Sequence, residues 1–366
     1  MLNSLASQLH VPIATLVAAL LLVGKATMLL LLAWGLTMIM QRTSAMSRHL
    51  VWFASLAAIL CIPVVVSYSP ITVPVLPSIG NAQSAMTTMS SSVKEGADQT
   101  ATGQRATPSD RANATLNALN PGAERGTADI TPAVGASREL IAGWSIGASL
   151  LGVWASVAAL LSGWLVIGAV NVTRIVRRAT TLRGTEWDGP VYETADRLSL
   201  DDAPRVLISD DILMPFACGL TRPTIVLPRS AEHWSADQRL AVLLHEMAHV
   251  KRRDLIGHTV GRFACALYWF HPLVWTAAKR LRAESERACD DLALLCGARA
   301  SDYAEQLLDI VSKVKRNTTP SVALAMANRS EFEGRMLAIL DPALRRAAPS
   351  RWQSATLVGS VVMIAM

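Results

Sequence analysis

The stretch His245-Glu246-Met247-Ala248-His249 sets two imidazoles four residues apart with a carboxylate between them. Residues four apart lie on the same face of a helix, one turn apart. Two imidazoles so placed can reach one zinc ion at about 2.0–2.1 Å. Glu246 is one residue from the first histidine, so its carboxylate does not easily join that coordination. It can reach a water on the metal, whose pKa zinc lowers toward about 7. Glu246 is therefore the candidate general base, His245 and His249 are candidate ligands, and one Zn2+ is the implied cofactor.

The five-residue pattern fixes only three positions, and its context gives it weight. Ser235-Ala-Asp-Gln238 is a capping-box start, in which the Ser and Gln side chains each satisfy a free backbone N–H. Leu240, Leu243, Leu244 and Met247 continue at helical spacing. The charged turn Val250-Lys-Arg-Arg-Asp254 then ends the apolar face. A surface helix with two solvated histidines would not surround them with Leu243, Leu244, Met247 and Ala248.

A catalytic zinc needs a third protein ligand. Ala283-Glu-Ser-Glu-Arg-Ala-Cys-Asp-Asp-Leu292 is helical in pattern and offers Glu284 and Glu286, which point in different directions. Glu286 has Asp290 four residues on, on its own face, and a second carboxylate there can orient a ligating histidine through its other ring nitrogen. Glu286 is thus the expected third ligand. Asp290 and Asp254 are candidates for holding the histidines in place. Between the ligands, residues 263–278 are apolar except for His271 and contain Pro272. A full crossing there would put Glu286 and His249 on opposite sides of a hydrocarbon layer about 30 Å thick. The segment is instead expected to be a buried or re-entrant hairpin broken near His271-Pro272. His271 is read as a turn residue outside the site.

The elements that must carry this site are those of a membrane protein. Of 366 residues, 51% are hydrophobic and 17% charged, against about 25% charged in soluble domains. Long apolar runs cover residues 11–40, 51–68 and 140–173, and a fourth starts after Arg351. The first run is too long for a signal peptide and no basic residue precedes it. Lys25 within it reads as a snorkelling or interface-level lysine. Arg42 and Arg48 after the first run, and Arg174, Arg177 and Arg178 after the third, orient these segments with the N-terminus outside. Residues 69–139, rich in small polar residues, read as a disordered extracytoplasmic loop. Residues 174–351 are the sizeable cytoplasmic part, with short strands at Val206–Ser209 and Thr224–Pro228 and an edge strand near Thr224–Leu227 that could hold substrate.

The formal charge of +6 follows from basic residues beside the apolar runs, so no direct nucleic-acid partner is expected. The five cysteines, Cys61, Cys218, Cys265, Cys289 and Cys296, form no CxxC. They read as small buried apolar residues, neither ligands nor disulfides.

Four blocks resemble the BlaR/MecR-type membrane metallopeptidases, the β-lactam sensor-transducer and antirepressor family. They are Pro215-Phe-Ala-Cys-Gly-Leu-Thr-Arg-Pro-Thr-Ile-Val-Leu-Pro228, His245-Glu-Met-Ala-His-Val-Lys-Arg-Arg-Asp254, Trp269-Phe-His-Pro-Leu-Val-Trp275 and Glu286-Arg-Ala-Cys-Asp-Asp291. The resemblance runs over the whole chain, most strongly from about 205 to 295, and extends more loosely to HtpX-type proteases. It implies a four-span α-helical membrane protein of the bacterial inner membrane. Between spans three and four it places a mainly α, α+β gluzincin-like zinc protease domain. It also implies that His245, His249 and Glu286 bind zinc and that Glu246 is the base. The substrate would be a protein, either the chain itself or a cytoplasmic transcriptional repressor, and membrane lipid would be the surroundings.

No sensor domain follows span four in these 366 residues. The S-x-x-K matches at Ser91–Lys94 and Ser312–Lys315 read as chance. Either the chain is a piece of a longer protein or its stimulus is not a β-lactam. A constitutive quality-control protease and a receptor with a non-catalytic metal site are the competing expectations. A channel or transporter has little behind it, because Lys25 is the one charge within the spans.

Overall fold

The computed structural model describes residues 13–68, 146–182, 184–316 and 322–365. The loop expected over 69–139 and the expected start of span three at 140 lie outside them. In chain order the elements are α1 (Ile13–Ile39), a 3-10 turn (Met40–Arg42), α2 (Ala45–Tyr68), α3 (Ile146–Arg178), β1 (Thr180–Thr181) and α4 (Thr185–Arg197). β2 (Arg205–Ser209), β3 (Phe216–Cys218) and β4 (Thr224–Pro228) follow, then α5 (Ala236–Arg252), α6 (Asp254–Leu267) and α7 (Pro272–Leu295). The last three are α8 (Ala300–Arg316), α9 (Val322–Leu340) and α10 (Arg351–Ala365).

Among the described residues, three helical stretches are long and apolar enough to cross a membrane: Val17–Arg42, Ala45–Pro63 and Gly147–Arg178. α3 leaves large apolar side chains such as Leu160 and Trp164 uncovered, as a lipid-facing helix requires. Lys25 lies on the exposed side of α1. The expected fourth span is helical over its described residues, as α10 (Arg351–Ala365). Arg48, read from sequence as a loop charge, is instead buried against Glu284.

Two apolar clusters organise the described residues. One gathers α1, α2, the ends of α6 and α7 that face each other, and Val361 of α10 around Leu30, Val51, Leu56, Ile59, Val274 and Leu281. The other gathers the sheet, α4, α5 and α8 around Ile225, Leu227, Leu243, Leu244 and Met247. α7 belongs to both: Val274, Ala277 and Leu281 enter the first, and Ala293, a few turns later, enters the second. A single rigid helix therefore links the spans to the region carrying the histidines.

The apolar segment 263–278 is broken as its proline demands. α6 ends at Leu267 and α7 begins at Pro272, at the helix's first turn. The two helices return against each other, and Gly261 of α6 faces Ala278 and Leu281 of α7. His271 precedes the new helix and bonds through Nε2 to Thr27 Oγ1 of α1 at 2.9 Å.

The sheet has the order β1-β2-β4-β3, with β2 and β4 parallel and the outer pairs antiparallel. This corrects one expectation. β4 is an interior strand, buried throughout; the edge strands are β1 and β3, and on β3 Ala217 pairs with Ile225. The expectation that all five cysteines are buried is met by two and corrected for Cys61. Cys265 and Cys289 are buried, Cys218 and Cys296 partly so, and Cys61 is exposed; all are free thiols.

Candidate active site

α5 starts with the reciprocal cap foreseen in the sequence: Gln238 N–H donates to Ser235 Oγ at 3.2 Å and Ser235 N–H to Gln238 Oε1 at 3.0 Å. It ends at Arg253, whose φ of 55° and ψ of 38° are left-handed. A non-glycine residue there is uncommon. The reversal starts α6 at once and turns Asp254 back toward His249, five residues earlier, with Oδ2 2.9 Å from His249 Nδ1.

His245 and His249 sit on one face of α5 with ring centroids 4.9 Å apart and planes at 88°. α7 brings Glu286 to them: its carboxylate lies 3.5 Å from His245 Nε2 and 3.9 Å from His249 Nε2. Donor atoms of the three residues all lie within 4.8 Å of one another. Glu284, the other carboxylate weighed from sequence, turns away to Arg48 and Arg287. Glu246 lines the same cleft and is 8% exposed.

Each imidazole is held by its other nitrogen. His245 Nδ1 lies 3.1 Å from Asp290 Oδ1 and 3.1 Å from Tyr303 Oη, and the tyrosine hydroxyl donates to the same Asp290 oxygen at 3.0 Å. His249 Nδ1 has Asp254. Both Nε2 atoms are left directed at Glu286, the tautomer arrangement in which carboxylate-supported histidines bind a metal. The donor set fits one zinc ion, with two imidazoles and one carboxylate leaving a position open.

Charge compensation comes from Arg335 of α9, far away in sequence. Its Nη1 lies 2.9 Å from Glu286 Oε2, while Nε and Nη2 each donate to Asp290 at 2.8 Å. Burial opposes ionisation of Glu286, but the hydrogen bond from His245 and the Arg335 charge outweigh it and hold this carboxyl well below the usual range. Asp290 is likewise depressed, against its burial, chiefly by Arg335. Asp254 is depressed by His249 and Arg252 despite burial. Burial disfavours a charge on His245, yet Asp290 and Glu286 win and push it up to about 10. A cation bound here displaces that proton, so metal binding and deprotonation are linked.

Cys289 Sγ lies 3.2 Å from Asp254 Oδ2 and 3.3 Å from His249 Nδ1. Burial keeps its thiol protonated, well above the ordinary value. The thiol donates a hydrogen bond to Asp254, and Cys289, His249 and Asp254 also bring donor atoms within 4.8 Å of one another. Tyr303, Arg335, Cys289 and His49 were not foreseen from sequence; the hint nearest to hand was Cys289, one residue before Asp290.

The cleft beside the histidines encloses about 1180 Å³ and is lined by β3, by Leu307, Ile310 and Val311 of α8, and by Phe332 of α9. The β3–β4 turn pivots on Gly219 at φ +86°, where a Cβ would meet Arg222 O at 2.3 Å. No side chain fits there, so the turn that presents the strand edge requires glycine.

A helical membrane protein with a candidate metal site between two helices is the class these features define. The sequence profile of the BlaR1 peptidase M56 family matches residues 17–339, and the chain belongs to that family. It is similar to the "Regulatory protein BlaR1" of Bacillus licheniformis, at 36% identity over 126 residues, 32% of this chain and 20% of that protein. It is also similar to the "Methicillin resistance mecR1 protein" of Staphylococcus aureus, at 30% identity over 83 residues, 22% of this chain and 14% of that protein. The matched stretches thus span a fifth or less of these relatives' own length. Membership makes the chain an integral membrane protein of a metallopeptidase family.

Proposed function

We propose that the chain is a zinc-dependent endopeptidase of the gluzincin type, inserted between spans three and four and working at the cytoplasmic face of the bacterial inner membrane. The observation that carries this is the convergence of His245, His249 and Glu286 with both Nδ1 atoms tied to carboxylates. His245, His249 and Glu286 would hold the ion. Zinc there would supply Lewis acidity, acidifying a water and offsetting negative charge as it develops on the scissile carbonyl oxygen. Glu246 takes the proton of the attacking water and later delivers it to the leaving amine. Asp290 and Asp254 keep the imidazoles in the tautomer that leaves Nε2 free. The edge of β3 holds an extended substrate by main-chain hydrogen bonds, and the apolar residues of α8 and α9 receive its side chains.

The cytoplasmic placement rests on charge. The basic loop at 41–50 and the Arg174–Arg178 cluster both point inward. Arg48, in the first turn of α2, is ion-paired to Glu284, two residues from Glu286, which favours that end of α2 and the site on one side. The substrate is a protein, either this chain or a cytoplasmic transcriptional repressor, and cleavage serves signal transduction. The name of the Bacillus licheniformis relative, a regulatory protein, favours that over constitutive quality control.

Glu246→Gln tests the reading. Loss of a positioned base costs about 10²–10⁴-fold in rate, so cleavage of the chain and of a co-expressed repressor falls below detection while one zinc per chain is retained. Cleavage at the wild-type rate would refute it.

A further inference from the structure

The first turn of α2 reaches the supports of both helices that carry the candidate ligands. Arg48 Nη2 lies 2.8 Å from Glu284 Oε2, and its Nη1 donates to the carbonyls of Gln41 and Thr43. Glu284 is two residues before Glu286 on α7. The next residue, His49, is 9% exposed and faces the other support. Its Nε2 lies 4.0 Å from Asp254 Oδ1. Asp254 Oδ2 is already shared among His249, Arg252 and Cys289. Oδ1 and His49 Nε2 are both buried and have no hydrogen-bond partner among the described residues.

A buried polar atom without a partner has lost its water and gained nothing in return, so it is costly. Two such atoms facing each other at 4.0 Å are a hydrogen bond left about 1 Å open. Nothing obstructs closure from α6. Gly257 presents no side chain there, and even a Cβ would stand 3.5 Å from His49 Nε2.

The geometry points to His49 as a positioning residue for His249: its Nε2–H donates to Asp254 Oδ1 and fixes the carboxylate that holds His249 Nδ1. This rests on the zinc-peptidase reading. α2 is one of the helices apolar enough to cross a membrane. The contact therefore ties the placement of a metal ligand to the position of a span, and a shift of α2 by about 1 Å, the difference from hydrogen-bond length, makes or breaks it.

The test uses the full chain in detergent, loaded with zinc, as wild type, His49→Phe, His49→Gln, Asp254→Asn and the Phe/Asn double variant. Zinc release to a chelator is followed, with kcat and KM on a protein substrate. Loss of a group supporting a ligating histidine weakens metal binding by about 10–100-fold. His49→Phe is expected to speed zinc release about tenfold, at the low end of that range, and to lower kcat with KM little changed. His49→Gln, which keeps an N–H donor, recovers part of the loss. In the Asp254→Asn background His49→Phe adds nothing. A wild-type release rate in His49→Phe, an undiminished effect without Asp254, or a glutamine no better than phenylalanine overturns the proposal. A wild type that binds no zinc and cleaves nothing instead overturns the peptidase reading beneath it.

Discussion

Arg335→Met separates the charge balance of the site from its packing. The guanidinium makes three contacts of 2.8–2.9 Å with Glu286 and Asp290, and methionine keeps much of the stem. Glu286 and Asp290 are both held ionised, and His245 carries a proton to about pH 10. Without zinc, the cluster is then neutral with Arg335 and carries one uncompensated negative charge without it. Stripping a buried ion pair of one partner costs about 3–5 kcal/mol. Arg335 is 18% exposed, so the lower end, about 3 kcal/mol, is appropriate. At about 2–4 °C per kcal/mol for a unit of this size, the unfolding midpoint under chelator should drop by roughly 6–12 °C. Zinc held by His245, His249 and Glu286 would displace the His245 proton and put two positive charges beside the same carboxylates, restoring neutrality in the variant. The midpoint gap between variant and wild type should therefore shrink by at least half in saturating zinc. Thermal unfolding in detergent, with and without chelator, measures both numbers. An equal gap in the two conditions, or none in either, would refute the electrostatic account.

The pH profile and the β3–β4 turn provide further checks. Glu286, Asp290 and Asp254 have depressed folded values, so their stabilisation is present above the ordinary carboxylate range near pH 4 and lost as pH falls through the folded values. His245 is raised, so its contribution is full below its ordinary 6.5 and is lost as pH rises through about 10. The unfolding midpoint under chelator should therefore fall steadily between pH 7 and 10, and a flat profile there would contradict the assignment. Gly219→Ala forces a Cβ against Arg222 O at a φ of +86°. It should cost about 1–3 kcal/mol and raise KM for a protein substrate, and an unchanged KM would remove β3 from substrate binding.

Legibility from sequence followed contact range. The capping box, the pairing of His245 with His249 on one face, and the i+4 relation of Asp290 to Glu286 are helical periodicities, visible because both members sit on one element. The break at His271-Pro272 was visible because proline cannot continue a helix. α4 was not foreseen: the segment is helical because Trp187, Val191 and Ala195 are buried against the core. The edge of the sheet was misassigned to β4 because strand order is a property of pairing, and nothing within Thr224–Pro228 tells an interior strand from an outer one.

By itself the sequence determined a helix bearing two imidazoles and a carboxylate, long apolar helices, and a second helix able to offer Glu286. Those follow from propensity, period and hydropathy, which act over a few residues. Only the tertiary structure decided that Arg335, Tyr303, Cys289 and His49 surround that centre. Their contacts close across as many as 205 positions, from His49 to Asp254, and no local pattern encodes which distant charge a buried carboxylate will meet. The physical reason is desolvation: once α7 carries Glu286 and Asp290 out of water, compensating charge must come from whichever element packs there, and chain folding alone chooses it.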